Sequence, residues 1–179
     1  MATPTTLPAS FTAGQVLTAA QMNDLRGAFR VLQVISTSKT DTFTTASTSF
    51  VDVTGLTVTI TPQSATSKIL VLAQVNASED YAVSAGFVRL ARGATAIDIG
   101  DTAGSRTSAS FSPSVNNSAT ALTGSLMFLD SPATTSATTY AIQVRTNSGT
   151  FYVNRSKTDS DNNSYPRLAS TITVMEISA

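Results

Sequence analysis

The sequence predicts an all-β chain: an antiparallel β-sandwich, with a jelly roll as first choice, preceded by one short N-terminal α-helix. Three observations carry this expectation. Apolar and polar residues alternate over short runs, turn-forming clusters interrupt those runs at regular spacing, and Thr and Ser make up nearly a third of the chain. Alternation turns one face of a strand toward a core, and β-branched Thr suits a pleated, half-buried surface. A chain of 179 residues supports one sizeable core, since such a chain buries roughly 70% of its unfolded surface.

The elements follow in order. Residues 1 to 12, rich in Pro, Thr and Ala, read as an extended lead-in. Next comes "FTAGQVLTAAQMNDLRGAF", Phe11 to Phe29. Thr18 is placed to cap a helix starting at Ala19, Gln21 completes a Thr-x-x-Gln capping box, and Leu17 and Met22 form a hydrophobic staple. Met22, Leu25, Phe29 and Leu32 step by three, four and three residues and make one narrow apolar stripe. So narrow a stripe suits a helix lying on a partner or on its own symmetry mates, so Leu17, Met22, Leu25, Phe29 and Leu32 are the expected docking residues. Residues 1–32 are therefore expected to form a docking segment and 33–179 the β domain.

From Arg30 onward the period changes to two. Leu56, Val58 and Ile60 alternate with Thr57, Thr59 and Thr61, and Tyr140, Ile142 and Val144 alternate with Ala141, Gln143 and Arg145. Ile69 to Leu72 is apolar on both faces, as in a strand covered on two sides. Thr171 to Ile177 closes the chain as a strand. Turns are expected at 38–41, 53–56, 62–67, 92–95, 100–106, 130–137, 147–150 and 159–166, where Gly, Pro, Asn, Asp and Ser cluster. Eight or more short strands at this spacing point to a sandwich.

Composition narrows the function classes. Charged residues are 12% of the chain, about half the usual share. The formal net charge is +0, with eleven acids and eleven bases scattered singly, which leaves no electrostatic footprint for nucleic acid or an anionic membrane. The longest plain apolar run, Ile69 to Ala73, is too short to insert in a bilayer, and no targeting signal opens the chain. Cys, His and Trp are absent, which removes thiol nucleophiles, imidazole bases and the usual zinc ligands. No catalytic residue, metal or cofactor is expected.

Weaker constellations fit the same picture. Ser36 to Lys39 matches Ser-x-x-Lys, but on a strand end and without its companion motifs. Asp159, Asp161 and Asn163 alternate as in a calcium loop, yet Ser164 stands where Gly is needed and Ser170 where Glu is needed. Glu79, Asp80, Asp98, Asp101 and Asp130 include no pair singled out by spacing for glycan cleavage. Arg89, Arg92 and Arg106 are candidates to pair with Asp98 or Asp101. Tyr81, Tyr140, Tyr152 and Tyr165 are candidates for sugar stacking or for strand packing. Sequons stand at Asn76, Asn116, Asn154 and Asn162.

"FTAGQVLTAAQMNDL" resembles the segment Phe-x-Ala-Gly-x-Val-Leu-Thr-Ala-Ala-x-Met-Asn that recurs at the start of tailed-bacteriophage virion proteins, particularly tail fibre and tail tip proteins. "LQVISTSKTDTFTTASTSFVDVTGLTVTITPQSATSKILVLAQVN", "GDTAGSRTSASF", "FLDSPATTSATTY", "YVNRS" and "STITVMEI" are similar to phage tail fibre-like proteins. The resemblance implies a small trimeric virion module, assembled in the bacterial host cytoplasm, that docks to other virion proteins through residues 11–32. Its β domain would face a host-surface glycan or protein. A capsid decoration protein has the same outline, and a carbohydrate-binding or glycan-cleaving tail module is a further alternative. Expected receptor-facing positions lie on two loops: Asp101, Arg106, Asn116 and Asn117 on one, and Asp159, Asp161 and Tyr165 on the other.

Overall fold

A computed structural model describes residues 13–14, 16–19, 22, 31–80, 85–114 and 117–178. The architecture is all-β with antiparallel sheets, one of them curled into a half-barrel. Its strands are β1 (Val31–Lys39), β2 (Phe43–Thr45), β3 (Val51–Ile60), β4 (Lys68–Glu79), β5 (Gly86–Arg92), β6 (Thr95–Ile97), β7 (Leu122–Asp130), β8 (Thr138–Thr146), β9 (Phe151–Val153) and β10 (Ser170–Ile177). Most of the helix expected from Ala19 lies outside the described residues, as do Leu25 and Phe29. The Met22 N–H donates to the Thr18 carbonyl at 3.0 Å, the bond that a cap at Thr18 would open with. Leu32, counted in the stripe by spacing, belongs instead to β1, where it is the extra residue of a bulge between Val31 and Gln33.

One sheet runs β3-β8-β5-β6. The other is organised around β4. Ile69 pairs with both Asp130 of β7 and Glu176 of β10, and Ala77 pairs with both Leu122 of β7 and Val153 of β9. So β7 follows one edge of β4, while β10 and then β9 share the other edge end to end. β1 flanks β10, and β2 flanks β9 in the same way. Five pairings are nested along the chain: β1 with β10, β2 with β9, β3 with β8, β4 with β7, and β5 with β6.

The core fills the space between the sheets. Ile69, Val71, Val75, Ile172 and Val174 from one side meet Leu56, Val58, Ile60, Leu90, Tyr140, Ile142 and Val144 from the other. The alternation read in β3 and β8 holds, with Ala141 also buried. Two expectations need correction. The turn expected at 53–56 is a bulge inside β3: the register shifts between Asp52 and Thr57, and Gly55 takes φ +81°. β3 carries three more residues than β8 across this shift; the left-handed glycine helps absorb them, and the odd number changes the parity of the strand, so Val53 and Leu56, three apart, both face the core. The second correction concerns β4. Its inner residues Ile69 and Val71 are buried, but Leu70 and Leu72 stay half-exposed on the outer face. Only above Gln74 does β4 become buried on both faces.

Charged groups tie the sheets together. Asp130, pointing inward from β7, accepts from the Tyr140 hydroxyl at 2.6 Å and from Arg92 Nη1 at 2.8 Å. Glu176, fully buried at the far end of β10, accepts from Gln33 Nε2 at 2.6 Å and from the Gln63 N–H at 2.8 Å. Burial alone would raise the Glu176 carboxyl; hydrogen bonds led by that of Gln33 outweigh it and hold the group below its ordinary range.

Candidate functional site

Above Gln74 the outer face of β4 is covered by the 154–169 excursion, which leaves the sheet where β9 ends and returns where β10 begins. Its base is a buried amide network. Asn154, 0% exposed and at φ +63°, donates from Nδ2 to the Lys39 and Asp41 carbonyls at 2.8 and 3.0 Å and accepts from the Ser170 hydroxyl at 2.6 Å. Ser170 in turn accepts from the Asn76 N–H at 2.9 Å, and Asn76 Nδ2 donates to the Ala169 carbonyl at 2.6 Å. Four strand ends meet at this seam, and an amide with donors and an acceptor satisfies backbone groups that no ladder reaches.

The excursion is held over β4 by polar contacts. The Ser78 hydroxyl donates to the Arg155 carbonyl at 2.9 Å, and the Arg155 guanidinium stacks 4.8 Å from the Tyr152 ring. Asp159 is clasped between Arg155, at 2.9 Å, and Arg167. The hydrogen bond from Arg167, helped by both positive charges, holds the Asp159 carboxyl below its usual value. Lys157 pairs with Asp80 at 2.8 Å. At its far end the Thr158 N–H donates to the Ser118 carbonyl at 2.9 Å, which docks the excursion onto the turn that precedes β7.

Both turns at this junction are side-chain capped. Asn117 Oδ1 accepts from the Ala119 N–H at 2.8 Å, and Asn162 Oδ1 accepts from the Ser164 N–H at 2.9 Å. Between them lies an open depression of about 370 Å³ lined by Thr120, Ala121, Asn163, Ser164, Tyr165 and Leu168, among others. A second depression, about 290 Å³, is lined by Asp159, Asp161, Asn162, Tyr165 and Arg167. Tyr165 thus borders both, with amide, hydroxyl and carboxylate groups around it.

Of the expected receptor-facing positions, the structure gathers Asn117, Asp159, Asp161 and Tyr165 here. Asn116 lies outside the described residues. Asp101 and Arg106 are elsewhere, on the connection after β6, where Arg106 Nη1 donates to the Ala103 carbonyl at 3.3 Å and Gly100 pairs with Ala109. The expected pairing of arginines with Asp98 or Asp101 is not seen among the described residues. Arg92 pairs with Asp130, and Arg89 donates to Gln143 at 2.8 Å and lies 3.9 Å over the Phe50 ring.

The other constellations resolve structurally. On β1, Ser36 bonds outward to Thr173 at 2.8 Å while buried Lys39 pairs with Asp41 at 2.8 Å, because positions three apart on a strand face opposite ways. Glu79 and Asp80, adjacent at the end of β4, diverge likewise: Glu79 is buried against Gly86, and Asp80 accepts from the Thr150 N–H at 2.8 Å. The leading carboxylate of the calcium-like loop is occupied by two arginines, and no cluster of three metal-ligating side chains occurs among the described residues. Asn76 and Asn154 of the sequons are buried, at 6% and 0% exposure, and cannot carry a glycan in this fold. Tyr81 is outside the described residues. The seam role of Asn154 escapes sequence reasoning; the tolerance of Asn for left-handed backbone is the one signal available.

A scan against protein-family models finds no match for this chain, and a search of curated proteins finds none.

Proposed function

We propose that this chain is a tailed-bacteriophage virion structural protein: a small homotrimeric tail fibre or tip module that docks by residues 11–32 and presents its β domain to a host-surface glycan. The observation that carries the attachment role is the composite surface around Tyr165. Two separate, side-chain-capped loops converge there, and an aromatic ring is framed by Asn163, Ser164 and Thr120. Sugars are bound by such sets, an aromatic face for the ring and amides or hydroxyls for its edges. Three copies on one axis would multiply a weak single-site affinity through effective concentration.

The virion assignment rests on the anchor-like segment "FTAGQVLTAAQMNDL". A jelly-roll topology agrees with it. The ten strands pair first with last, second with second-last and so inward to the central pair. That nesting is what a folded ribbon wound into two sheets produces.

Two experiments test the proposal. Immunogold labelling of phage particles with antibody to this chain should decorate the tail; labelling of the head would favour the decoration role, and unlabelled particles would refute a virion protein. Purified chain should compete with particles for adsorption to host cells, and Tyr165→Ala should weaken that competition by about tenfold or more, as truncating an aromatic anchor does. Unchanged competition by Tyr165→Ala would remove the attachment surface from this site.

A further inference from the structure

Below the covered part of β4, the outer face of its sheet is bare, and six of the twelve residues on its three rungs are large and apolar. One rung crosses four strands: Val34 of β1, Met175 of β10, Leu70 of β4 and Leu129 of β7 are paired in register. The next rung is Ser36, Thr173, Leu72 and Met127, and the third is Ser38, Thr171, Gln74 and Ser125. Val34, Leu129 and Met127 are 53%, 55% and 74% exposed, a degree of exposure that a sheet face meant for water does not show in neighbouring large apolar residues. Leu72, Gln74, Ser125, Met127, Thr171 and Thr173 line a shallow depression of about 510 Å³ on it.

We propose that this face is the contact between copies of this chain, an inference that rests on the homotrimer reading above and names its interface. Three features select a copy of the chain over another kind of partner. None of the three rungs carries a charge, so copies gathered about a three-fold axis bring no ion of these rungs against an apolar neighbour. Four of its five hydroxyls are already tied in pairs, Ser36 to Thr173 at 2.8 Å and Ser38 to Thr171 at 3.1 Å, so covering those four strands no polar group. Strand spacing and rise give the three rungs roughly 400 Å², about half of a contact that buries about 800 Å² per partner, with the first rung, Leu72 and Met127 as its apolar part. The N-terminal segment also enters β1 at Val31, 47% exposed at the edge of this face beside Ile177. Copies joined here gather their docking segments at one place.

The test is sedimentation equilibrium on the full chain, with Met127→Glu/Leu129→Glu as the variant and Thr59→Glu, on the exposed face of the other sheet, as control. Wild type and control should be multimeric, and the double variant should associate at least about 100-fold more weakly. A double variant that remains multimeric overturns the proposed face and leaves the trimer reading standing; a monomeric wild type overturns the trimer reading and the face with it. Because the chain has no cysteine, Met127→Cys supplies a second measurement that leaves the fold intact. Its thiol should be alkylated at least about tenfold more slowly than that of Thr59→Cys, since thiol reactivity follows access. Equal rates in a multimer would overturn the face.

Discussion

Asn154 shows how much of this fold hangs on single amides. It sits at φ +63° with no exposed surface and serves two carbonyls and one hydroxyl at the seam between β9 and β10. Asn154→Ala should cost about 2–4 kcal/mol in urea unfolding, because buried carbonyls lose their donors. Asn154→Gly loses the same bonds but accepts the backbone, so it should be less damaging than Ala by about 1 kcal/mol. Equal losses would mean that backbone strain plays no part. Tyr140 offers a milder case: burial, then its hydrogen bond to Asp130, pushes its hydroxyl pKa far up, so it stays a donor. Tyr140→Phe leaves Asp130 with Arg92 and should cost about 1–2 kcal/mol.

At the scale of elements, two glycines separate strain from crowding. Gly55 is the left-handed residue of the β3 bulge, and an added Cβ would meet only Lys39 Nζ, at 3.7 Å. Gly55→Ala should therefore lose about 1 kcal/mol, all of it backbone strain. Gly124 of β7 has no such backbone, but an added Cβ would run into the Phe111 ring, which packs on the core from the connection after β6. Gly124→Ala should lose about 1–3 kcal/mol through overpacking, and Phe111→Leu in the same chain should restore part of it. Melting curves of the single and double variants decide whether the two sites couple. The alternation of β3 and β8 was legible in the sequence, since one covered face demands it. The bulge at Gly55 was not, because "VTGL" reads equally as a turn until the strand partner β8 fixes the register.

For the whole molecule, two buried glutamates give stability opposing dependences on pH. Burial raises the Glu79 carboxyl, against the Gly86 N–H, so the folded state favours its protonated form. Its contribution therefore falls as pH rises from the unfolded value through the folded one. Glu176 is held low, so its contribution is present above the unfolded value and is lost as pH falls through the folded one. Glu79→Gln should raise the melting temperature near pH 8 and Glu176→Gln should lower it, both differences shrinking as falling pH protonates each carboxyl, Glu79 before Glu176. Parallel curves across that range would contradict both assignments.

By itself the sequence determined the β class, most strand faces and the lack of charge, because these follow from local period and composition. It also placed a turn at 159–166, the stretch that contains Tyr165. Only the tertiary structure decided which loops meet. Ser118, near the end of the β6–β7 connection, joins Thr158, while the earlier part of that connection, with Asp101 and Arg106, leads to Ser110 and Phe111 on Val88 of β5. It alone showed that Leu70 and Leu72 lack a cover while Asn76 and Ser78, a few residues along the same strand, have one. Alternation along a strand reports which residues share a face; what lies against that face is set by chain segments far away in sequence.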